Sequence, residues 1–218
     1  MFLHFLNKPW VILILETRFV SWLLGLFLPW MQKNDPLPAQ GLVRFIFLIS
    51  YAATPTRLTA MSQNTTALAA RLAEQYPTAT VIGCTFQNNL EEAEEWKWKL
   101  NVLPPSRSYW TGRATSTTDE RELLIASLPT LGLDISNSIV VCNGAHARRV
   151  SIVWEHYHPD ANLCFRSTPA VEDGDLENPM TAQRRWQTWV FANLVGIFFY
   201  KVLGVSYFAK KNLSQPVD

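Results

Sequence analysis

Charge is the scarcest ingredient of this sequence. Only 17% of its 218 residues are Asp, Glu, Lys or Arg, against about a quarter in ordinary soluble domains. The 19 basic and 18 acidic residues leave a net charge of +1. The basic residues are scattered, which excludes the clustered cationic footprint of a nucleic-acid binder. Cysteine is sparse too. Cys84, Cys142 and Cys164 are odd in number, far apart and without a CxxC pair, so neither a disulfide framework nor a metal ligand set is expected. Neither GxGxxG nor GxxxxGK[ST] occurs, nor a GxSxG elbow, which removes the common dinucleotide, P-loop and α/β-hydrolase sites. A hydrophobic content of 48% excludes a disordered chain.

The apolar excess is concentrated at the start. From Trp10 to Trp30 the run WVILILETRFVSWLLGLFLPW carries only Glu16 and Arg18 as charges, with a tryptophan at each end. As one helix rising 1.5 Å per residue it just reaches across a hydrocarbon core of about 30 Å. Its twelve Leu, Ile, Val and Phe residues favour insertion by about 0.3 to 0.6 kcal/mol each, and the two charges oppose it by up to about 3 kcal/mol each. These sums nearly cancel. Residues 1–31 are read as a hydrophobic helix serving as a single-pass membrane anchor. A helix lying in the interface or packed on the domain is the alternative. A cleaved signal peptide is disfavoured because no small-x-small site follows the run. The balanced flanking charges, Lys8 and Lys33, do not orient the segment. Residues 32–41, with two prolines, read as a linker, 42–208 as an α/β domain and 209–218 as a tail.

Within the domain, short apolar runs alternate with helical patterns. Strands are expected at 43–49, 79–83, 108–111, 138–142 and 162–166, and helices at 64–75, 90–101, 119–128, 147–157 and 182–203. That alternation indicates βαβ units and a doubly wound, mainly parallel sheet of about five strands with a Rossmann-like plan. Runs such as FIFLI and IVVC are continuously apolar, as strands buried on both faces must be. Any site is then expected along the carboxyl edge of the sheet. Glu95 and Lys99 stand at i,i+4 in EEAEEWKWKL, and most charges of that segment read as a solvated helix face.

The most informative stretch is IVVCNGAHARRVSIVWEHYHP. A strand ends at Cys142, the turn Asn143-Gly144 follows, and His146 and Arg149 stand at i and i+3 on the first helical turn. A helix start, a two-pronged guanidinium and an imidazole together suit a phosphate or carboxylate. Helix capping by His146 with a surface ion pair for Arg149 is the plain alternative. His156 and His158 are expected to face solvent. In RATSTTDERELL, Thr117 or Thr118 is expected to cap the next helix, placing the cluster on the same edge. The loops after the first two strands bring Ser50, Thr54, Gly83, Thr85 and Asn88 to it.

The order of these clusters resembles the YdcF/SanA/ElyC family, a bacterial domain of poorly defined function. His146-Ala147-Arg148-Arg149 matches its H-x-x-R at a helix start. TSTTDER is similar to its S-x-N-T-x-E-N pattern, with Thr115 at the serine, Thr118 at the threonine and Glu120 at the glutamate. Glu92-Ala93 looks like the Glu-Ala pair that opens its second helix, and WVFANLVGIFFYKVLG is similar to its closing segment. The family's paired glycines stand here as Ser50-Tyr51 and Gly83-Cys84, its asparagine after the glutamate as Arg121, and its closing-helix glutamate as Asn193. The resemblance covers about residues 42–205. It implies a Rossmann-like fold, an amino-terminal anchor in a bacterial inner membrane and a role in cell-envelope biogenesis or integrity. It also implies a small anionic or nucleotide-like ligand, S-adenosylmethionine among the candidates by resemblance alone. His146 and Glu120 are the candidate catalytic groups, and Arg149, Glu92, Thr115, Thr118, Ser50, Gly83 and Asn143 the candidate ligand contacts. Enzymes acting on phosphate or pyrophosphate esters or using S-adenosylmethionine, and a degenerate interaction protein with Tyr51 or Phe86 filling the cleft, are the competing readings.

Overall fold

Five runs of β-branched, aromatic and leucine residues form one parallel sheet, β1 (Phe45–Leu48), β2 (Thr80–Phe86), β3 (Ser108–Ala114), β4 (Ile139–Asn143) and β5 (Cys164–Thr168). Its spatial order is β3-β2-β1-β4-β5, every neighbouring pair parallel. This computed structural model describes residues 8–86, 92–126, 128, 135–170 and 176–206; the tail at 209–218 lies outside them. The helices are α1 (Pro9–Leu15), α2 (Arg18–Met31), α3 (Ala60–Gln75), α4 (Glu92–Leu100), α5 (Thr117–Ala126), α6 (Gly144–Tyr157) and α7 (Trp186–Leu203). The doubly wound α/β reading holds, with element ends shifted by a few residues.

Buried strands alternate their side chains between two cores. Phe45, Phe47, Val140 and Cys142 meet α5, α6 and α7 on one face. Ile46, Leu48, Val81, Ile139 and Val141 meet Ala69, Leu72 and Ala73 of α3 on the other. The order places a switch point between β1 and β4, where the chain winds away in opposite directions and a crevice opens outside the strand ends.

The single helix expected over 10–30 is instead two, α1 and α2, bent by 68° at Glu16–Thr17. The break has a local cause. Thr17 leaves helical geometry and its hydroxyl accepts from Val20 N at 3.4 Å, capping α2. Among the described residues no single helix is long and apolar enough to cross a membrane; α1 and α2 together have the length and composition, but not as a straight span. Both pack on the domain, with Val11, Leu15, Leu24 and Met31 in the core. The 32–41 segment lies along the outer edge of β5: Asp35 N donates to the Phe165 carbonyl at 3.0 Å, Phe165 N to Asp35 Oδ2 at 2.8 Å and Ser167 N to Asn34 Oδ1 at 2.9 Å. That covers an otherwise open strand edge.

Candidate functional site

At the switch point the chain leaves β1 through Ser50 and Tyr51, and β4 through Asn143 into α6. Asn143 is the N-cap of α6, its Oδ1 accepting from Ala145 N at 3.0 Å and from Trp189 Nε1 at 3.2 Å. With the cap supplied by Asn143, His146 is free to point inward. Its Nε2 lies 2.9 Å from Arg149 Nη2 and 3.2 Å from Thr117 Oγ1, and its Nδ1 lies 3.2 Å from Tyr51 Oη. A guanidinium only donates, so Nε2 presents its lone pair and the ring hydrogen sits on Nδ1, aimed at the tyrosine oxygen. Tyr51 Oη also accepts from Asn143 N at 2.6 Å. Burial, and secondarily the Arg149 charge, hold His146 well below the ordinary imidazole range, so it is neutral at physiological pH.

Arg149 is half-buried, its guanidinium 5.9 Å from the Trp189 ring. Its stem crosses Gly196, where a Cβ would stand 2.9 Å from Arg149 Cδ. Its Nη2 donates to Thr117 Oγ1 at 3.1 Å. No carboxylate pairs with it among the described residues, and its Nε is buried without a hydrogen-bond partner there. Thr118 Oγ1 and Asn193 Oδ1 share that condition. Buried polar atoms without a partner are uncommon in folded proteins.

Glu120 lies one turn beyond Thr117 on α5 and is buried. Its Oε1 accepts from Ser50 N at 2.5 Å and from Cys84 Sγ at 3.1 Å, leaving Oε2 to carry a proton. Desolvation raises its pKa from the ordinary 4.5 to about 7, outweighing the hydrogen bonds from Ser50 and Cys84 and the more distant Lys99 and Arg149 charges. Folding therefore tightens proton binding here. The stability this group contributes is fully present below about pH 4.5 and is lost as pH rises through about 7, a change of about 3 kcal/mol. Urea unfolding at intervals from pH 4.5 to 8 should show that decline, and Glu120→Gln should flatten it. Parallel profiles for the two proteins would contradict the assignment.

The network continues to a pair expected on a solvated face. Glu95 and Lys99 are each only 1% exposed. Lys99 Nζ reaches Glu95 Oε1 at 2.7 Å, Ser50 Oγ at 3.0 Å and the Cys84 carbonyl at 3.0 Å, engaging all three of its hydrogens. Ser50 Oγ in turn donates to Glu95 Oε1 at 3.2 Å. Burial is the main reason that the Cys84 thiol, between these groups, is raised well above its usual range, with Glu120 adding to it.

The structure thus brings His146, Arg149, Thr118, Glu120, Ser50 and Asn143 to one edge. Ser50 and Asn143 are taken up in the protein's own hydrogen bonds. At Gly83 the space a side chain would need is filled by Trp96, whose ring atom lies 2.7 Å from where a Cβ would stand. Thr115 is exposed and binds Asp119 Oδ2 through N at 2.6 Å and Oγ1 at 2.9 Å, a support for the start of α5. The cap there is Ser116, whose Oγ accepts from Asp119 N at 3.2 Å, one residue before the two threonines expected; the shift leaves Thr117 for His146. Glu92 opens α4, and its side chain lies outside the described residues, as does that of Phe86. His158 does not simply face solvent: its Nε2 meets Arg121 Nη1 at 3.0 Å, and Arg121 stacks 3.9 Å over the Tyr157 ring. His156 is exposed and meets Ser206 Oγ at 3.1 Å. The sequence reading placed Glu95 and Lys99 on a solvated helix face, named Tyr51 only as a filler of the cleft, and did not single out Trp189. Comparison of the chain with known protein families, curated proteins and solved structures gave no match in any of the three.

Proposed function

We propose that this chain is a membrane-associated protein of the bacterial cell envelope, of the kind the YdcF/SanA/ElyC resemblance implies, whose α/β domain binds a small anionic or nucleotide-like ligand at the switch point. The supporting observation is Arg149: a half-buried guanidinium with no carboxylate partner among the described residues, a buried and unsatisfied Nε, and a neutral imidazole beside it. An incoming anion supplies the missing countercharge. His146 and Glu120, both able to exist neutral near pH 7, can bind it without repelling it. The Nδ1–H tautomer leaves His146 Nε2 as acceptor toward Arg149, and Glu120 Oε2 is the exchangeable proton carrier.

Thermal unfolding with inorganic phosphate, pyrophosphate and S-adenosylmethionine tests this reading. The wild type should gain stability with the bound anion as RT ln(1 + [L]/Kd), and Arg149→Gln should gain none. Equal shifts in both proteins, or no shift in either, would count against it.

One observation favours a second reading, a non-catalytic interaction protein. Tyr51 is 1% exposed and stands edge-on to Trp189 and His146 at 6.3 and 5.8 Å between ring centres. It occupies room that a glycine would leave empty. Tyr51→Gly separates the two: the ligand reading requires unchanged or tighter anion binding, and a filler role requires loss of stability alone.

A further inference from the structure

One stripe of α2 packs inward through Leu24 and Met31, with Val20 and Leu28 beside them. The opposite stripe, Phe19, Trp22, Leu23, Leu26, Phe27 and Trp30, falls at i, i+3, i+4, i+7, i+8 and i+11 and is exposed throughout, Phe19 to 67% and Trp22 to 60%. A helix facing water is polar on that side. The end of α7 repeats the pattern, with Ile197 buried and Phe198, Phe199 and Val202 exposed. The two helices run side by side. Gln187 Nε2 donates to Ser21 Oγ at 3.3 Å near their starts, and Lys201 Nζ lies 6.0 Å from the Trp30 ring near their ends. The apolar stripes therefore join in one surface far larger than scattered exposed residues make.

Charge states what covers it. Along α1, the break, α2 and α7 the only acidic residue is Glu16, which is ion-paired to Arg185. Lys8 just before α1, Arg18 on α2 and Lys201 on α7 are exposed. Arg148 lies 5.2 Å from the Trp30 ring, and Arg184, without a carboxylate partner among the described residues, lines a cavity of about 270 Å³ with Ile12 and Leu176. An apolar, tryptophan-bearing face rimmed by cations complements the acyl boundary and headgroups of an anionic bilayer. A second copy docked on this face would set the cationic rim against itself.

A crossing does not fit the geometry. With 14 residues, α2 is about 21 Å long, short of a hydrocarbon core of about 30 Å. Its ends are tied to the domain by the ion pairs Glu16–Arg185 and Lys33–Glu155, and Arg148 donates to the Trp30 carbonyl from Nε at 3.2 Å and Nη2 at 3.1 Å. We propose that α1, α2 and the outer face of α7 form a single surface that lies in the plane of an anionic bilayer without crossing it. This rests on the membrane association proposed above and specifies its mode.

The test adds the purified full chain to preformed vesicles of phosphatidylcholine with and without phosphatidylglycerol. The chain should sediment with the anionic vesicles and less with the neutral ones. Trp22→Ser combined with Phe27→Ser should lower the partition coefficient about tenfold or more with an unchanged unfolding midpoint, because both side chains are exposed. Impermeant maleimide then reads topology at Lys8→Cys and Gln40→Cys, since the native cysteines are buried. Both positions should label fully from outside. Protection of position 8 alone would mean a crossing, overturning the in-plane mode and leaving membrane association intact. Failure to bind either vesicle overturns both, and self-association abolished by the double substitution would then assign the face to a second copy.

Discussion

Lys99→Met should lower stability by about 3 to 5 kcal/mol, because it takes the paired ammonium from the buried Glu95 carboxylate. In a chain of this size that is a fall in melting temperature of about 6 to 20 °C. The loss comes from the buried carboxylate that this ammonium neutralised and not from the absent lysine, so the double change Lys99→Met with Glu95→Leu should recover much of it. Lys97→Met, two residues away on the exposed face of α4, should change stability by less than about 0.5 kcal/mol. Chemical unfolding of the three variants checks the set. A Lys99→Met protein as stable as Lys97→Met would show that the pair is not buried as described.

Gly144→Ala should be nearly as costly. A Cβ there would stand 2.5 Å from the Thr168 carbonyl oxygen and 2.8 Å from Ala170 N. Both are backbone atoms, so no side chain can rotate away, and α6 and the chain leaving β5 must move apart. The expected loss is about 3 kcal/mol, with a displaced Asn143 cap and His146. Gly25→Ala in α2, where a Cβ meets nothing within 4 Å, should be neutral or stabilising by up to about 1 kcal/mol. Equal melting temperatures for the two variants would contradict the close approach.

These two sites mark where sequence reasoning succeeded and where it stopped. The strands were legible because β1 and β4 are buried on both faces, which forces continuous apolar runs. His146 and Arg149 were legible because three-residue spacing after a strand and an Asn-Gly turn places both on one face near the start of a helix. Glu95 and Lys99 were not. An i,i+4 ion pair has the same spacing whether it faces water or the core, and here the decision comes from Ser50 and the Cys84 carbonyl, distant along the chain. Tyr51 was foreseen as a residue standing where the resemblance has glycine and as a filler of the cleft in the interaction-protein reading; its contact with His146 depends on the β1–β4 adjacency and was not. The break between α1 and α2 had a local sign, Thr17 in cap position, which the apolar run around it obscured.

One helix joins the two surfaces proposed above. On α6, Arg148 ties down the carboxyl end of α2, and its neighbour Arg149 stands at the switch point with His146. In the function proposed above, this second cation holds a small anion. Native mass spectrometry of the protein after gentle extraction tests that most directly. Wild type should carry a low-mass anionic adduct that Arg149→Gln, folded and extracted alike, lacks. The same adduct on both proteins, or a bare wild type that also fails to take up added pyrophosphate, would contradict it.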